Sequence, residues 1–335
     1  MSQLPNQPQS FSKPITRDEN SNLDQTLRPQ TWEEYIGQTK IKENLRILLT
    51  AAKKRGHAAE HILLYGPPGL GKTTLAHLIA KTLGTNMRIT SGPAIERVGD
   101  LAAIITNLSP GDVLFIDEIH RLSKSIEEVL YPAMESGVLD IIIGKGPSAR
   151  TVQLDLPPFT LVAATTKISM LSAPLRSRFS GGTFRLEFYS NEEIADILTH
   201  SAAVLGVDST KDITLKIAER CRATPRTANY LLKRCRDMAE LENTPLDDTI
   251  INQTFSLLEI DNLGLNKPDR AVLEVIIDKF GGGPVGLNTI AAATGEEQST
   301  IEDVIEPYLI RQGLIERTPR GRVATVTAYE HLRQV

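Results

Sequence analysis

Cysteine is scarce in this chain of 335 residues: Cys221 and Cys235 are all it has. Two thiols in a segment of helical pattern exclude a disulfide framework, and a metal site would need more ligands than they supply. They read as half-buried thiols of a cytoplasmic protein. Long apolar runs are missing as well. No stretch reaches the roughly 18 residues that a membrane span requires. The N-terminal MSQLPNQPQSFSKPITRDENSNLDQT has no apolar core of a signal peptide. An excess of one charge is also lacking, since 37 Lys and Arg face 41 Asp and Glu, a formal balance of −4. Any grip on nucleic acid must therefore come from a local cluster rather than a global field. One such cluster exists: IERTPRGRVAT (315–325) carries Arg317, Arg320 and Arg322.

The remaining sequence divides by pattern. Residues 1–26 hold almost no core-forming side chains and are expected to be a disordered tail. From 27 to 188, the short apolar runs HILLY, NMRITS, DVLFID and TLVAATT alternate with helical stretches. Buried strands separated by helices predict an α/β fold with a parallel sheet. Over 189–260 strand signals vanish, and Ser190 with Glu193 predicts a capping box opening a small helical domain. Over 261–335, three helices precede two short strands around a Pro/Gly turn, the arrangement of a winged helix.

Between the first strand and its helix lies GPPGLGKTT (66–74), which fits G-x-x-x-x-G-K-[ST] in its required context. Its glycines, Gly69 and Gly71 among them, let backbone N–H groups wrap phosphates at a helix N-terminus. Lys72 is expected to neutralise phosphate oxygens, Thr73 to ligate Mg²⁺, and Thr74 to add an ATP contact. Further on, VLFIDEIH (113–120) delivers Asp117 and Glu118 from a buried strand. The first suits Mg²⁺ held through water, and the second can polarise an attacking water, so hydrolysis is expected. His120 is read as a structural residue and left out of the site. In ATPR (223–226), Thr224 can cap a helix, Pro225 sits in its first turn, and Arg226 projects from its start.

LRPQTWEEYIGQ, GPPGLGKTTLAHLIA, LFIDEIHRL, GPSARTVQLDLPPFTLVAATT, APLRSRF, ATPRTANYLLKR and RTPRGRVAT together resemble the AAA+ ATPases, and most closely the RuvB family of Holliday-junction branch-migration motors. The resemblance runs from about residue 27 to 330. It implies an AAA+ ATPase domain, a helical lid and a C-terminal winged helix that binds DNA. It implies adenine-side contacts from Leu27, Arg28 and the hinge residue Tyr189. It also implies that Thr166 and Arg226 sense the nucleotide, that Arg176 lies near it, and that Arg178 is a finger reaching into a neighbouring subunit. The family's partners follow: the duplex arms of Holliday junctions, RuvA docked on a hairpin over 139–156, the resolvase RuvC, and a homohexameric ring. The chain departs from the family pattern at SGGTFRLEFY (180–189), one residue longer and richer in glycine than expected.

Two features bear on the DNA reading. The third helix of the winged unit offers Glu302, Asp303 and Glu306 and no basic residue before Arg311. This composition argues against base recognition through it, whereas Arg317 and Arg322 on the wing suit phosphates. The rival reading is a clamp-loader-like or chaperone-like AAA+ assembly factor, against which the winged helix and the hairpin both speak.

Overall fold

The computed structural model describes residues 25–143 and 150–333. The tail expected over 1–26 therefore lies almost wholly outside the described residues. Five strands form a parallel sheet: β1 (Ile62–Tyr65), β2 (Met87–Ser91), β3 (Val113–Asp117), β6 (Thr160–Thr165) and β7 (Gly182–Arg185), in the order β2-β3-β6-β1-β7. The three central strands, β1, β3 and β6, are buried runs because both sheet faces are covered there. Ile62, Leu64, Val113, Phe115, Val162 and Ala164 pack on one face, and Leu63, Leu114, Ile116, Leu161 and Ala163 on the other. The first of these faces continues without a break into the helical unit, through Ile194, Leu198, Leu231 and Phe255. The ATPase sheet and the lid thus share one core.

The expected capping box opens the lid: the Glu193 amide donates to Ser190 Oγ, and the Ser190 amide donates to Glu193 Oε2. Thr224 likewise caps the helix Pro225–Glu242. Cys221 and Cys235 are fully buried rather than half-buried, and burial pushes both thiols up to about 11. Between β3 and β6 in the chain, β4 (Val138–Ile143) and β5 (Arg150–Asp155) form the expected antiparallel hairpin, with Val138 opposite Asp155. Its turn, 144–149, lies outside the described residues.

The C-terminal unit has a separate core built on Leu273, Ile290, Ile305 and Leu309. It contains Lys267–Glu274, Leu287–Thr294, a third helix over 298–311 with a π-helical segment at Ile301–Ile305, and the hairpin β8 (Ile315–Thr318) and β9 (Gly321–Ala324). A further helix, Val326–Leu332, follows the wing and was not expected from the sequence.

The glycine-rich departure at 180–184 has a physical cause. Gly181 donates its amide to the His61 carbonyl, starting β7 against β1. A Cβ there would sit 2.8 Å from the Glu60 carbonyl oxygen and 2.9 Å from that of His61. Neither backbone atom can move without disturbing the sheet. Gly181→Ala is therefore expected to destabilise the ATPase unit by about 1–3 kcal/mol, read as a lower urea midpoint at unchanged slope.

Candidate nucleotide site

The site forms where neighbouring strands β3, β6 and β1 end, because parallel strands deliver their C-terminal ends to one edge of the sheet. After β1 the chain turns through Gly66, Gly69 and Gly71 at φ of 142°, 80° and 95°, which residues with a Cβ rarely adopt. The turn ends on Lys72, the first residue of the helix Lys72–Leu83. Its ammonium is buried and donates to the carbonyls of Gly66 and Pro67, both at 2.8 Å. Burial holds its pKa down at about 8, against the opposing pull of Asp117 and Glu118.

Asp117 ends β3, and its Oδ1 accepts the Glu118 amide at 2.9 Å. Glu118 itself has φ of 50°, a strained conformation for a residue with a side chain. Such strain persists where the surroundings over-determine it and clusters at functional sites. Here the carboxylate is held from two sides. Thr166 Oγ1, just beyond β6, donates to Glu118 Oε2 at 3.4 Å, and His120 Nδ1 lies 3.2 Å from the same oxygen. His120 also meets Thr165 Oγ1 at 2.9 Å. Burial lowers the His120 pKa more than Glu118 raises it, which favours the neutral ring. The sequence reading left His120 out, yet it positions the candidate base. The one available signal was its spacing, two residues after Glu118 at the end of a buried strand.

The opposite wall comes from the lid. Tyr189 is buried, and its hydroxyl donates to the Leu70 carbonyl at 3.2 Å and meets Tyr35 Oη at the same distance. Burial pushes its pKa up to about 12, so it remains a neutral hydrogen-bonding group. The Arg226 amide donates to the Gly69 carbonyl at 3.4 Å. A Cβ on Gly69 would come within 3.1 Å of Arg226 Cβ, so only glycine lets the loop lie this close to the lid.

These walls enclose a cavity of about 420 Å³. Leu27, Arg28, Gly69, Gly71, Lys72, Thr73, Thr74, Asp117, Glu118, Tyr189 and Arg226 all line it. Arg28 is oriented by His77, whose Nε2 lies 2.9 Å from its guanidinium. On the lid wall, Ser201 Oγ and Asn229 Oδ1 are buried without a hydrogen-bond partner. Orphaned buried polar atoms facing a cavity are costly unless a ligand satisfies them. Glycine amides, a buried ammonium, paired carboxylates and unsatisfied polar atoms are a donor set that fits ATP with Mg²⁺.

Other expected site residues lie elsewhere. Thr166 reaches the site only through Glu118. Arg176 is exposed on the short helix Ala173–Ser177 and does not line the cavity. Arg178, at the end of that helix, donates to Glu135 Oε2 at 2.9 Å and stacks 4.7 Å over the Tyr131 ring. Arg176 stands on the outside of the domain, whereas Arg178 is only partly exposed. On the wing, Arg317 is exposed and pairs with Glu302 at 2.9 Å. Arg322 requires a correction. Its side chain is buried, and Nε and Nη2 both donate to Glu306 Oε2 at 3.0 and 2.7 Å, so burial rather than exposure marks it on the wing. The exposed partner of Arg317 at the turn is instead Arg320.

A parallel-sheet P-loop domain, a helical lid that completes its pocket, and a winged helix in one chain define an AAA+ P-loop ATPase. Residues 27–186 match the model of the Holliday junction DNA helicase RuvB P-loop domain, 189–261 the RuvB AAA lid domain, and 262–333 the RuvB C-terminal winged helix domain. The chain belongs to the RuvB family. It is 58% identical over 321 residues to the Holliday junction branch migration complex subunit RuvB of Dehalococcoides mccartyi (strain CBDB1), a match covering 96% of this chain and 91% of that protein. The solved Thermotoga maritima RuvB Holliday junction branch migration motor is 47% identical over 92% of this chain and 98% of its own, with a TM-score of 0.83. Mutant forms of that Thermotoga protein superpose with TM-scores of 0.82 and 0.84.

The depressed Lys72 pKa sets a pH dependence. Without nucleotide the ammonium loses its proton near pH 8, whereas an anionic ligand needs it charged. Nucleotide affinity is therefore expected to fall as pH rises, by about tenfold between pH 7 and 9. Lys72→Arg, whose guanidinium stays charged, should abolish that fall. Titration with a fluorescent ATP analogue checks both.

Proposed function

We propose that this chain is the ATP-hydrolysing subunit of a motor that drives branch migration of Holliday junctions. The observation that carries the reading is one cavity lined jointly by the phosphate loop, the Asp117–Glu118 pair and the lid arginine, in a chain that also bears a winged helix. When bound, ATP supplies the phosphoanhydride bond, and Mg²⁺ neutralises its phosphates. Lys72 Nζ would hold phosphate oxygens. Thr73 and, through water, Asp117 would hold the metal. Glu118 orients the attacking water and takes up its proton at the carboxylate, while Thr166 keeps that carboxylate in place. Tyr189 and Leu27 form an apolar seat for the base, and Arg226 reports occupancy to the lid.

The positions of Arg176 and Arg178, outside their own cavity, support a role in a neighbour's site. A charge supplied in trans stabilises the transition state and makes hydrolysis depend on assembly. A closed homohexameric ring gives every cavity such a neighbour. Duplex arms would pass through this ring with Arg317 and Arg320 against their phosphates, a contact indifferent to sequence. The β4–β5 hairpin suits the docking of RuvA, although its turn lies outside the described residues. RuvC would act on the same junction. The work is cytoplasmic.

Two experiments test this reading. Arg178→Ala and Lys72→Ala chains should each be nearly inactive as ATPases when assembled alone. Mixed, they should regain part of the activity, because an intact Arg178 on one chain can serve an intact Lys72 on the next. No recovery on mixing would contradict action in trans. Arg317→Ala with Arg320→Ala should weaken binding to all duplexes alike and reduce the salt slope of log K by about 2. Unchanged affinity would remove the wing from the DNA path.

A further inference from the structure

The third helix of the winged unit, residues 298–311, is acidic, and it contacts the other units of the chain. Three of these contacts reach the nucleotide machinery. Asp303 pairs with Lys167 at 2.5 Å, and Lys167 directly follows the sensor Thr166. The Val304 carbonyl accepts Arg222 Nη2 at 2.9 Å, and the Tyr308 ring lies 4.5 Å beneath the same guanidinium. Arg222 has φ of 58° and sits four residues before Arg226. Arg311 stacks 4.4 Å over Phe188 and donates to the Tyr189 carbonyl at 3.3 Å, at the hinge itself. Each contact lands within four residues of a group that lines or senses the cavity.

The helix also holds the wing. Glu302 pairs with Arg317 at 2.9 Å, and Glu306 with Arg322 at 2.7 Å. Val304, Tyr308 and Arg311 follow one helical stripe, and Glu302 and Glu306 another, so the helix faces the nucleotide site on one side and the wing on the other.

We infer that the helix over 298–311 is the strut that couples nucleotide state to DNA grip, with Asp303 and Lys167 as its switching contact. The inference rests on the motor reading above. The contacts divide by strength. Arg222 is mostly buried and pairs with the fully buried Asp269 at 3.1 Å, a latch that breaks only at great cost. The Lys167–Asp303 pair is about 40% exposed on each side, and such a pair is weak. A contact that must form and break in each cycle has to be weak, whereas the pivot about which it moves has to be strong. Thr166 moves with the γ-phosphate it senses, and Lys167 moves with Thr166. The strut then tilts about Arg222, carrying Arg317 through Glu302. Asp303 and Lys167 are positioning residues, remote from the reacting atoms.

The test uses the full-length chain assembled on duplex DNA. Asp303→Ala should leave the basal ATPase and the duplex affinity within about twofold of the unaltered chain, and lower the stimulation of ATPase by DNA by about fivefold or more. Lys167→Asp with Asp303→Lys should restore most of the stimulation by remaking the pair with its charges exchanged. The inference is overturned if Asp303→Ala keeps full stimulation, if basal and stimulated rates fall in the same proportion, or if the exchanged pair does no better than Asp303→Ala. An unaltered chain that DNA fails to stimulate would instead sink the motor reading, and this inference with it.

Discussion

The side chain of Tyr189 is the contact on which the rest of the arrangement depends. It is buried at the hinge, donates to the Leu70 carbonyl within the phosphate loop, and meets Tyr35 from the N-terminal segment. Three parts of the chain far apart in sequence are thereby fixed around one point. The loop can lie this close to the lid only because Gly69 has no Cβ to strike Arg226. Since the sheet face and the lid share one apolar core, the lid is not an independent flap. Its angle to the sheet is set by packing across that core.

The charges follow a related logic. Buried ion pairs add little net stability, because desolvation offsets their attraction, but they fix geometry. Arg222–Asp269 and Arg322–Glu306 serve in that way, one at the junction of lid and winged unit and the other between helix and wing. The winged domain has eight basic and ten acidic side chains over 267–335, and three of the acidic ones, Glu302, Asp303 and Glu306, lie on the helix that other winged folds aim at bases. That helix serves internal docking, and Arg317 and Arg320 remain at the exposed turn.

Much of this was legible in the sequence, and the residues explain why. The phosphate loop and the Asp117–Glu118 pair are local patterns, a glycine turn and a strand end, so their geometry follows from chain continuity. The cap at Ser190 and the cap at Thr224 are local in the same sense. The β7 glycines were noticed as a departure, but their cause, close approach to the Glu60 and His61 carbonyls, is a tertiary fact. The same holds for Arg322, whose charge was read correctly as part of a cluster while its burial against Glu306 depends on how the wing folds back on the helix. His120 looked like a structural residue because nothing in the sequence shows that β6 brings Thr165 and Thr166 beside it. Lys167 and Asp303 are 136 positions apart and became neighbours only through domain docking. Pattern reaches as far as one element and its caps. Contacts between units need the fold.

The central claim is that nucleotide binds between loop and lid and joins them. Amide hydrogen exchange on the full-length chain, with and without a non-hydrolysable ATP analogue, tests it most directly. The account predicts protection on both walls together, over 66–74 and over 189–201 and 225–233, at the same analogue concentration. Protection confined to 66–74, with the lid segments exchanging as before, would contradict it.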